Sequence, residues 1–505
     1  MRSVDATIDR VTDHRDPPFA AASGRSADQR DRAPDAGLSA EELAAITGGR
    51  LLARSDRPIL GGAVDSRIVE PGNLFVALPG ERADGHDFVG AALAAGAAAI
   101  LLARAPETGD LVGRDTTVVV VDDPLRGLQA VAGAWRERFD PLVVGITGSI
   151  AKTSTKEAVA AVLGAAMPTL RNEGNLNNEI GLPLTVLRLR SEHRAAVLEM
   201  GMYVGGEIAD LARIGRPEIG VVTAVQAVHL SRIGTIEAVA RAKGELVEAL
   251  PADGVAVLNA DDERVRAMAG RTRARSSTYG FAADADVRAE QIVSRGAAGM
   301  AFDLVSPEGR RPVAIPTLGR LAVHNALAAA AVGLAAGLSL DAIAAGLGNG
   351  WSAAHRGQLI RAAGVTIVDD SYNASPGSVA AALDLLAGMP GRKIAVLGEM
   401  LELGDDHDSG HRRSGTAAAA IVDRLVVVGA GAAGILVGAR DAGLAAADLI
   451  AVADRVAARD RLLEILAPGD VVLVKASRGI ALDLLVDDLV AALGPAFGPA
   501  EASSR

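Results

Sequence analysis

Leu142-Val-Val-Gly-Ile-Thr-Gly-Ser-Ile-Ala-Lys-Thr-Ser-Thr-Lys-Glu157 opens as an apolar, β-branched run, breaks at Gly145 and Gly148, and passes at once into KTSTKEAVAAVLGAA, whose spacing predicts a helix. A strand that turns directly into a helix leaves the first N–H groups of that helix unpaired, at the positive end of its dipole, and a phosphate is favoured there. Small residues at Gly148, Ser149, Ala151 and Ser154 would let the backbone approach such a group. Lys152 is then placed to hold the outer phosphates of a nucleoside triphosphate, and Thr153 to hold Mg²⁺. The strict template for such a loop has glycine where this chain has Ile146 and Ala151. If position 151 is left-handed, alanine costs about 1–2 kcal/mol more than glycine, which, charged entirely to binding, is about tenfold or more and weakens the site without abolishing it. The competing reading is an ordinary βα turn followed by a solvated lysine.

Working outward, the apolar runs AAVLEMG, IGVVTAV and GVAVLNA alternate with helical stretches, the pattern of a buried parallel sheet and a doubly wound domain. Upstream, the helix PLRGLQAVAGAWRERF separates this domain from a smaller α/β unit. That unit starts with a helix in SAEELAAITGG and has short strands near Gly61–Val64 and Leu74–Leu78, then a helix in DFVGAALAAGA and a strand in AAILLAR. Beyond about Gly350 a third set of apolar runs appears: GVTIVDDS, RKIAVLGEM, RLVVVGA, DLIAVAD and DVVLVKAS. The expectation is an α/β chain of three domains, at 37–122, 123–352 and 353–494. A polar, Arg- and Asp-rich tail at 1–36 and a frayed end at 495–505 flank them.

A length of 505 residues suits about three domains at roughly 150 each. Half of the residues are hydrophobic but only 2% are aromatic, so the cores must be aliphatic, and few rings exist to stack on bases. With a net charge of −11, nucleic acid is not expected as a partner, and any anionic ligand must be captured by a local field. The absence of cysteine excludes disulfides, thiol nucleophiles and thiolate metal sites, leaving metals to His and carboxylates. The longest apolar stretches, Ala91–Leu102 and Ala326–Leu340, are too short and too rich in Ala and Gly to span a bilayer, and MRSVDATIDRVTDHRD lacks the apolar core of a secretion signal. A cytoplasmic protein is expected.

Ligands of parallel α/β sheets bind outside the carboxyl ends of the strands. Glu199, closing AAVLEMG, and His229, after VVTAVQAV, fall there, and Lys243 follows in ARAKGEL. Together they could complete a metal-phosphate site, although singly each could be a cap, a packing residue or a solvated lysine. The third domain adds Asp369 and Asp370 at a strand end, the polar loop SYNASP, and Lys475 and Ser477 after its last apolar run. Two domains whose strand-end clusters differ suggest a cleft closing on a nucleotide and a second substrate.

Nine segments in order carry a resemblance: DSRIVEPGNLFVALPGERADGHDF, GITGSIAKTSTKE, GNLNNEIGLPLTVL, LEMGMYVGGEIADL, HLSRIGTIEAVARAKGEL, VLNADD, VDDSYNASPGS, VLGEMLELG and VKASRG. On these the chain, from Leu38 to Leu489, resembles the Mur ligase family, in the branch that joins D-alanyl-D-alanine to UDP-N-acetylmuramoyl-tripeptide (the MurF type). The resemblance implies an N-terminal domain for the UDP-sugar, a central P-loop ATPase domain and a C-terminal Rossmann-like domain. It implies that Ser66, Arg67, Asp84 and His86 belong to the nucleotide-sugar site. It assigns Lys152 to phosphate and Thr153, Glu199, His229 and Lys243 to Mg²⁺, with two ions expected and Lys243 N-carbamylated. It places Asn175, Asn177 and Asn178 near the acceptor and Asn325 at the adenine. Asp370, Tyr372 and Asn373 match the C-terminal nucleotide and substrate loop, and Arg356, Lys475 and Ser477 face the cleft. The chain departs from the family pattern at Ala151, at Leu321 where a His is usual, and at Ser375 where an Asn is usual.

The implied chemistry is attack of the substrate's terminal carboxylate on the γ-phosphate of ATP, then attack of the D-alanyl-D-alanine amine on the acyl phosphate. A monomer acting on small molecules is expected. Two other readings stay open at this stage: a superfamily ligase adding a single amino acid, and a catalytically silent nucleotide-binding paralogue.

Overall fold

The structure, a computed structural model, describes residues 35–80, 83–105, 115–226 and 233–494. The expectations for the two tails, at 1–36 and 495–505, lie almost wholly outside these residues, and so does His229.

Three sheets follow one another along the chain. The first contains β1 (Arg50–Ala53), β2 (Gly62–Ala63), β3 (Leu74–Val76), β4 (Ala99–Leu102) and β5 (Thr117–Val120) in the order β1-β5-β4-β3-β2. Only β1 runs antiparallel to its neighbour. The central sheet is built from β6 (Leu142–Thr147), β7 (Thr169–Arg171), β8 (Ala195–Glu199), β9 (Ile219–Val222), β10 (Val255–Asn259) and β11 (Arg275–Gly280), all parallel. Beyond β11 it continues through β12 (Val287–Ser294) into an antiparallel extension, β13 (Met300–Ser306) and β14 (Gly309–Ile315). The third sheet, β15 (Gln358–Ala362), β16 (Val365–Asp369), β17 (Lys393–Gly398), β18 (Arg424–Val428), β19 (Leu449–Val452) and β20 (Val471–Lys475), is ordered β15-β16-β20-β17-β18-β19 and is parallel except at β15. This is the α/β class expected. The antiparallel extension was not read from the sequence, because β12 and β14 mostly carry partly or fully exposed side chains and show no continuous apolar run.

The helix Pro124–Arg136 shows how the first two sheets are joined. Asp123 accepts hydrogen bonds from the N–H groups of Leu125 and Arg126, and Pro124 starts the first turn, where a missing N–H costs nothing. Its apolar face buries Leu128, Val131 and Trp135 in one core that takes Leu43, Leu74 and Leu101 from the N-terminal unit and Val143, Leu182 and Leu198 from the central one. Trp135 satisfies its indole N–H on the carbonyl of Leu189 at 3.2 Å. The opposite face of the central sheet is covered by the helices Lys152–Gly164 and Arg320–Ala335, which bring Val159, Val162, Leu327 and Val332 onto Val144, Ile146 and Val221. The third sheet has a separate core on each face. The carboxyl ends of β6 and β8 and those of β16 and β20 open onto a common cleft of about 1290 Å³.

Candidate active site

The phosphate-type turn is tied down before Lys152 is reached. Gly148 has φ +151, and a Cβ at that position would lie 1.8 Å from the hydroxyl of Thr223, so only glycine fits. Ser149 donates its N–H to the carbonyl of Ala224 at 2.8 Å, and its hydroxyl accepts the N–H of Gln226 at 2.9 Å. Thr223 donates its hydroxyl to the carbonyl of Ile150 at 2.6 Å. Ala151 then takes φ 64, ψ 0, the left-handed state that the missing glycine would occupy without strain, and the helix starts at Lys152. The Lys152 ammonium folds back onto the carbonyl of Gly148 at 2.8 Å. Burial lowers its pKa; Glu199 opposes that shift, and Arg356 adds to it.

Glu199 sits at the end of β8, 2% exposed. One carboxylate oxygen accepts the side-chain amide of Asn177 at 2.7 Å, and the other, Oε2, is buried and has no hydrogen-bond partner among the described residues. Its backbone is clamped by Asn172, which accepts the Glu199 N–H at 2.9 Å and donates to the carbonyls of Glu199 at 3.1 Å and Leu176 at 2.8 Å. Asn172 is itself held by Lys156, wholly buried one helical turn after Lys152, which donates to the Asn172 carbonyl at 2.6 Å. The sequence reading missed both residues.

Among the described residues no three His, Cys, Asp or Glu side chains gather into a metal cluster. What the site offers a hard cation is the orphaned Glu199 oxygen together with Thr153, in the first turn of the helix and 8% exposed. An oxygen-only pair of this kind, completed by phosphate and water, fits Mg²⁺.

The cleft is also lined by Asn175, Asn177, Tyr203, Leu321 and Asn325. Asn325 accepts the Thr155 hydroxyl at 3.2 Å. Asn178 turns its side chain to the N–H groups of Ile180 and Gly181, starting the helix Gly181–Val186. Lys243, on the helix Ile236–Glu248, borders a smaller cavity of about 160 Å³ shared with Lys152, Asn175, Asn177 and Asn178. It is 2% exposed, and burial, reinforced by Lys152, drives its pKa well below the ordinary lysine value.

From the third sheet, Lys475 donates to Asp370 at 2.6 Å and to the carbonyl of Asn373 at 2.9 Å, locking the loop after β16 to the end of β20. The Ser477 hydroxyl accepts the N–H of Leu401 at 2.9 Å. The Tyr372 ring lies beneath the guanidinium of Arg356 at 4.1 Å and also near that of Arg478 at 5.2 Å. Arg478 was another omission: nothing in VKASRG distinguishes a cleft arginine from a surface one.

The four N-terminal candidates stand apart from this cleft. Asp84 holds His86 Nδ1 at 2.6 Å and Arg104 at 2.8 Å, and the Ala103 N–H donates to His86 Nε2 at 3.1 Å. Asp84 is held well below the usual carboxylate range, first by the backbone N–H of His86 and then by Arg104. Arg67 is exposed and paired with Asp65, next to Ser66 in a single 3₁₀ turn.

Comparison with known proteins gives three matches to family profiles in chain order. The Mur ligase family catalytic domain matches residues 60–136, the Mur ligase middle domain 146–333, and the Mur ligase glutamate ligase domain 355–478. The chain is 39% identical to the UDP-N-acetylmuramoyl-tripeptide–D-alanyl-D-alanine ligase of Mycobacterium tuberculosis, over 90% of this chain and 98% of that protein. Among solved structures it resembles MurF from Acinetobacter baumannii with a TM-score of 0.80 and 31% identity, covering 91% of this chain and 100% of the other. It also resembles MurF ligase from Thermotoga maritima in complex with ADP, with a TM-score of 0.75 and 27% identity, covering 86% and 98%. Likeness of this depth across all three sheets has one reading: the chain belongs to the Mur ligase family.

Proposed function

We propose that this protein is an ATP-dependent amide ligase that joins D-alanyl-D-alanine to UDP-N-acetylmuramoyl-tripeptide, releasing ADP and phosphate, in cytoplasmic synthesis of peptidoglycan precursors. The observation that carries the proposal is one cleft lined by Lys152, Thr153 and Glu199, with its unpaired oxygen, from the central domain and by Arg356, Asp370 and Lys475 from the third. The Mycobacterium tuberculosis relative, whose name states this activity, supports it across 98% of its length.

A carboxylate does not acylate an amine at neutral pH, because its oxygen is a poor leaving group. In the proposed reaction the tripeptide's terminal carboxylate attacks the γ-phosphorus of ATP, ADP departs, and the amine of D-alanyl-D-alanine displaces phosphate from the resulting acyl phosphate. Lys152 and the N–H groups of the turn orient the phosphates, with Gly148, Ser149, Ala151 and Ser154 forming the cradle. Thr153 and Glu199 would hold Mg²⁺, with His229 and Lys243 assigned to a second ion; bound there, the cations would offset charge on the phosphate oxygens. Burial disfavours the charged form of Lys243 and so favours the amine that adds CO₂, and the carbamate would replace its repulsion of Lys152 with attraction, which supports N-carbamylation of Lys243. Asn325, Arg356 and Asp370 are assigned to the nucleotide. Asn175, Asn177, Asn178, Tyr372, Asn373, Lys475 and Ser477 are assigned to the two peptide substrates, and Ser66, Arg67, Asp84 and His86, in a domain at 37–122, to the UDP-sugar. The catalytic domains are then 123–352 and 353–494, in a monomer. No helix among the described residues is long and apolar enough to cross a membrane.

The test is amine-dependent phosphate release with UDP-N-acetylmuramoyl-tripeptide, comparing D-alanyl-D-alanine with single amino acids. Lys152→Ala should abolish turnover while leaving the unfolding transition in place. Faster turnover with any single amino acid, or wild-type rates in Lys152→Ala, would overturn the proposal.

A further inference from the structure

Between the last helix of the central domain, which ends at Gly348, and β15, the chain passes through His355 with φ +59, a backbone state that side-chain-bearing residues rarely adopt. Such a state persists only where its surroundings over-determine it. Here they do. His355 Nδ1 lies 2.7 Å from Asp369 Oδ2 at the carboxyl end of β16, and Asp369 is 1% exposed. The other oxygen of Asp369 is occupied by the N–H of Ser371 at 3.2 Å and its hydroxyl at 2.5 Å. The His355 carbonyl accepts the N–H of Tyr372 at 3.1 Å. The next residue, Arg356, lies over the Tyr372 ring, lines the cleft, and stands close enough to Lys152 for the two cations to repel.

We propose that His355 is a positioning residue: its bond to the buried Asp369 fixes the left-handed turn that aims Arg356 at the phosphates held by Lys152, so that the third domain supplies a cation to the nucleotide. His355 touches no substrate itself, and the role rests on the nucleotide reading of the cleft.

The test uses the full chain. His355→Gly accepts the backbone angle without strain but removes the bond, whereas His355→Asn tolerates the same angle and carries an amide nitrogen near the place of Nδ1. We expect His355→Gly to raise KM for ATP and the dissociation constant of a non-hydrolysable ATP analogue by about tenfold. KM for D-alanyl-D-alanine should stay near wild type, the melting temperature should fall in the glycine variant because Asp369 Oδ2 loses its partner, and His355→Asn should recover most of both losses. In an Arg356→Ala background the glycine change should add nothing, because both act through one guanidinium. If the glycine variant does not fold, His355→Ser, too short to reach Asp369, must show the same ATP-specific loss. Wild-type ATP affinity in the Gly or Ser variant, losses that add to Arg356→Ala, or an equal fall in every kinetic constant would overturn the proposal. Analogue affinity is measured without turnover. A wild-type protein that makes no amide, but whose analogue affinity depends on His355 only when Arg356 is present, would therefore sink the ligase reading and leave this one standing.

Discussion

Replacing Ala151 with glycine should stabilise this protein, the reverse of what glycine does in a helix interior. Ala151 has φ 64 and ψ 0 and no side-chain capping bond, so its methyl group is carried in a left-handed turn. That state costs a non-glycine residue about 1–2 kcal/mol, while glycine brings back about 0.5–1 kcal/mol of unfolded-chain entropy. The net gain is about 0.5–1 kcal/mol, or roughly 1–4 °C in the melting transition of a unit of this size. Ala165, at the other end of the same helix, provides the control: it is exposed, with φ −70 and ψ −22, so Ala165→Gly relieves nothing and should lower the melting temperature by a similar amount. Differential scanning fluorimetry or calorimetry of both variants beside wild type reads the two signs directly. The strain belongs to the turn whatever fills it, so affinity for ATP should change by less than about twofold, well short of the tenfold that about 1.4 kcal/mol charged to binding would give. A melting temperature for Ala151→Gly at or below wild type would refute the reasoning.

Gly148→Ala should act in the opposite direction, since its Cβ would fall 1.8 Å from the Thr223 hydroxyl and break the bond to Ile150; a loss of about 2–4 kcal/mol and of ATP protection is expected in thermal melts. Gly164→Ala, where nothing lies within 4 Å, should be neutral or slightly stabilising. Asn172→Ala leaves the N–H and carbonyl of Glu199 and the carbonyl of Leu176 without their amide partner, so urea unfolding should show a loss of about 3 kcal/mol, with a raised KM for Mg²⁺ if the Glu199 carboxylate shifts. An Asn172→Ala protein as stable as wild type would show that the clamp holds nothing. For Lys243 the folded pKa lies well below the unfolded value near 10.4, so the unfolded chain binds the extra proton; unfolding free energy of carbamate-free protein should rise with pH up to the unfolded value, and is compared at two pH values below it. Lys243→Met should flatten that rise, and an unchanged slope in urea titrations at the two pH values would remove Lys243 as its source.

Much of this protein was legible because its signals are local. The run from Leu142 to Glu157 shows a strand, a tight turn and a helix through residues that touch their own neighbours, and the conditional cost at Ala151 needed only a backbone angle to become definite. Lys152 and Lys156 mark where locality ends. They lie one turn apart in KTSTK and look alike, yet Lys156 is wholly buried beneath Asn172 while Lys152 borders the cleft. His355 is plainer still: a histidine in a polar link carries no hint of a left-handed turn or of a buried carboxylate fourteen residues away.

The sequence by itself determined the parallel apolar strands, the helices between them and where a phosphate could be gripped, since propensity, glycine placement and helix-end charge act over a few residues, whereas the half-exposed strands β12 to β14 escaped it. Only the tertiary structure decided the strand order β7-β8-β6-β9, and with it that Glu199 and Thr223 flank the same turn. It alone brought Asp370 to Lys475 and Thr155 to Asn325, pairs 105 and 170 residues apart. The physical reason is that apolar burial, which drives the collapse, is proportional to area and indifferent to partner. The choice among partners is made by close packing and by the need to satisfy each buried polar group, and both exist only once the chain has folded.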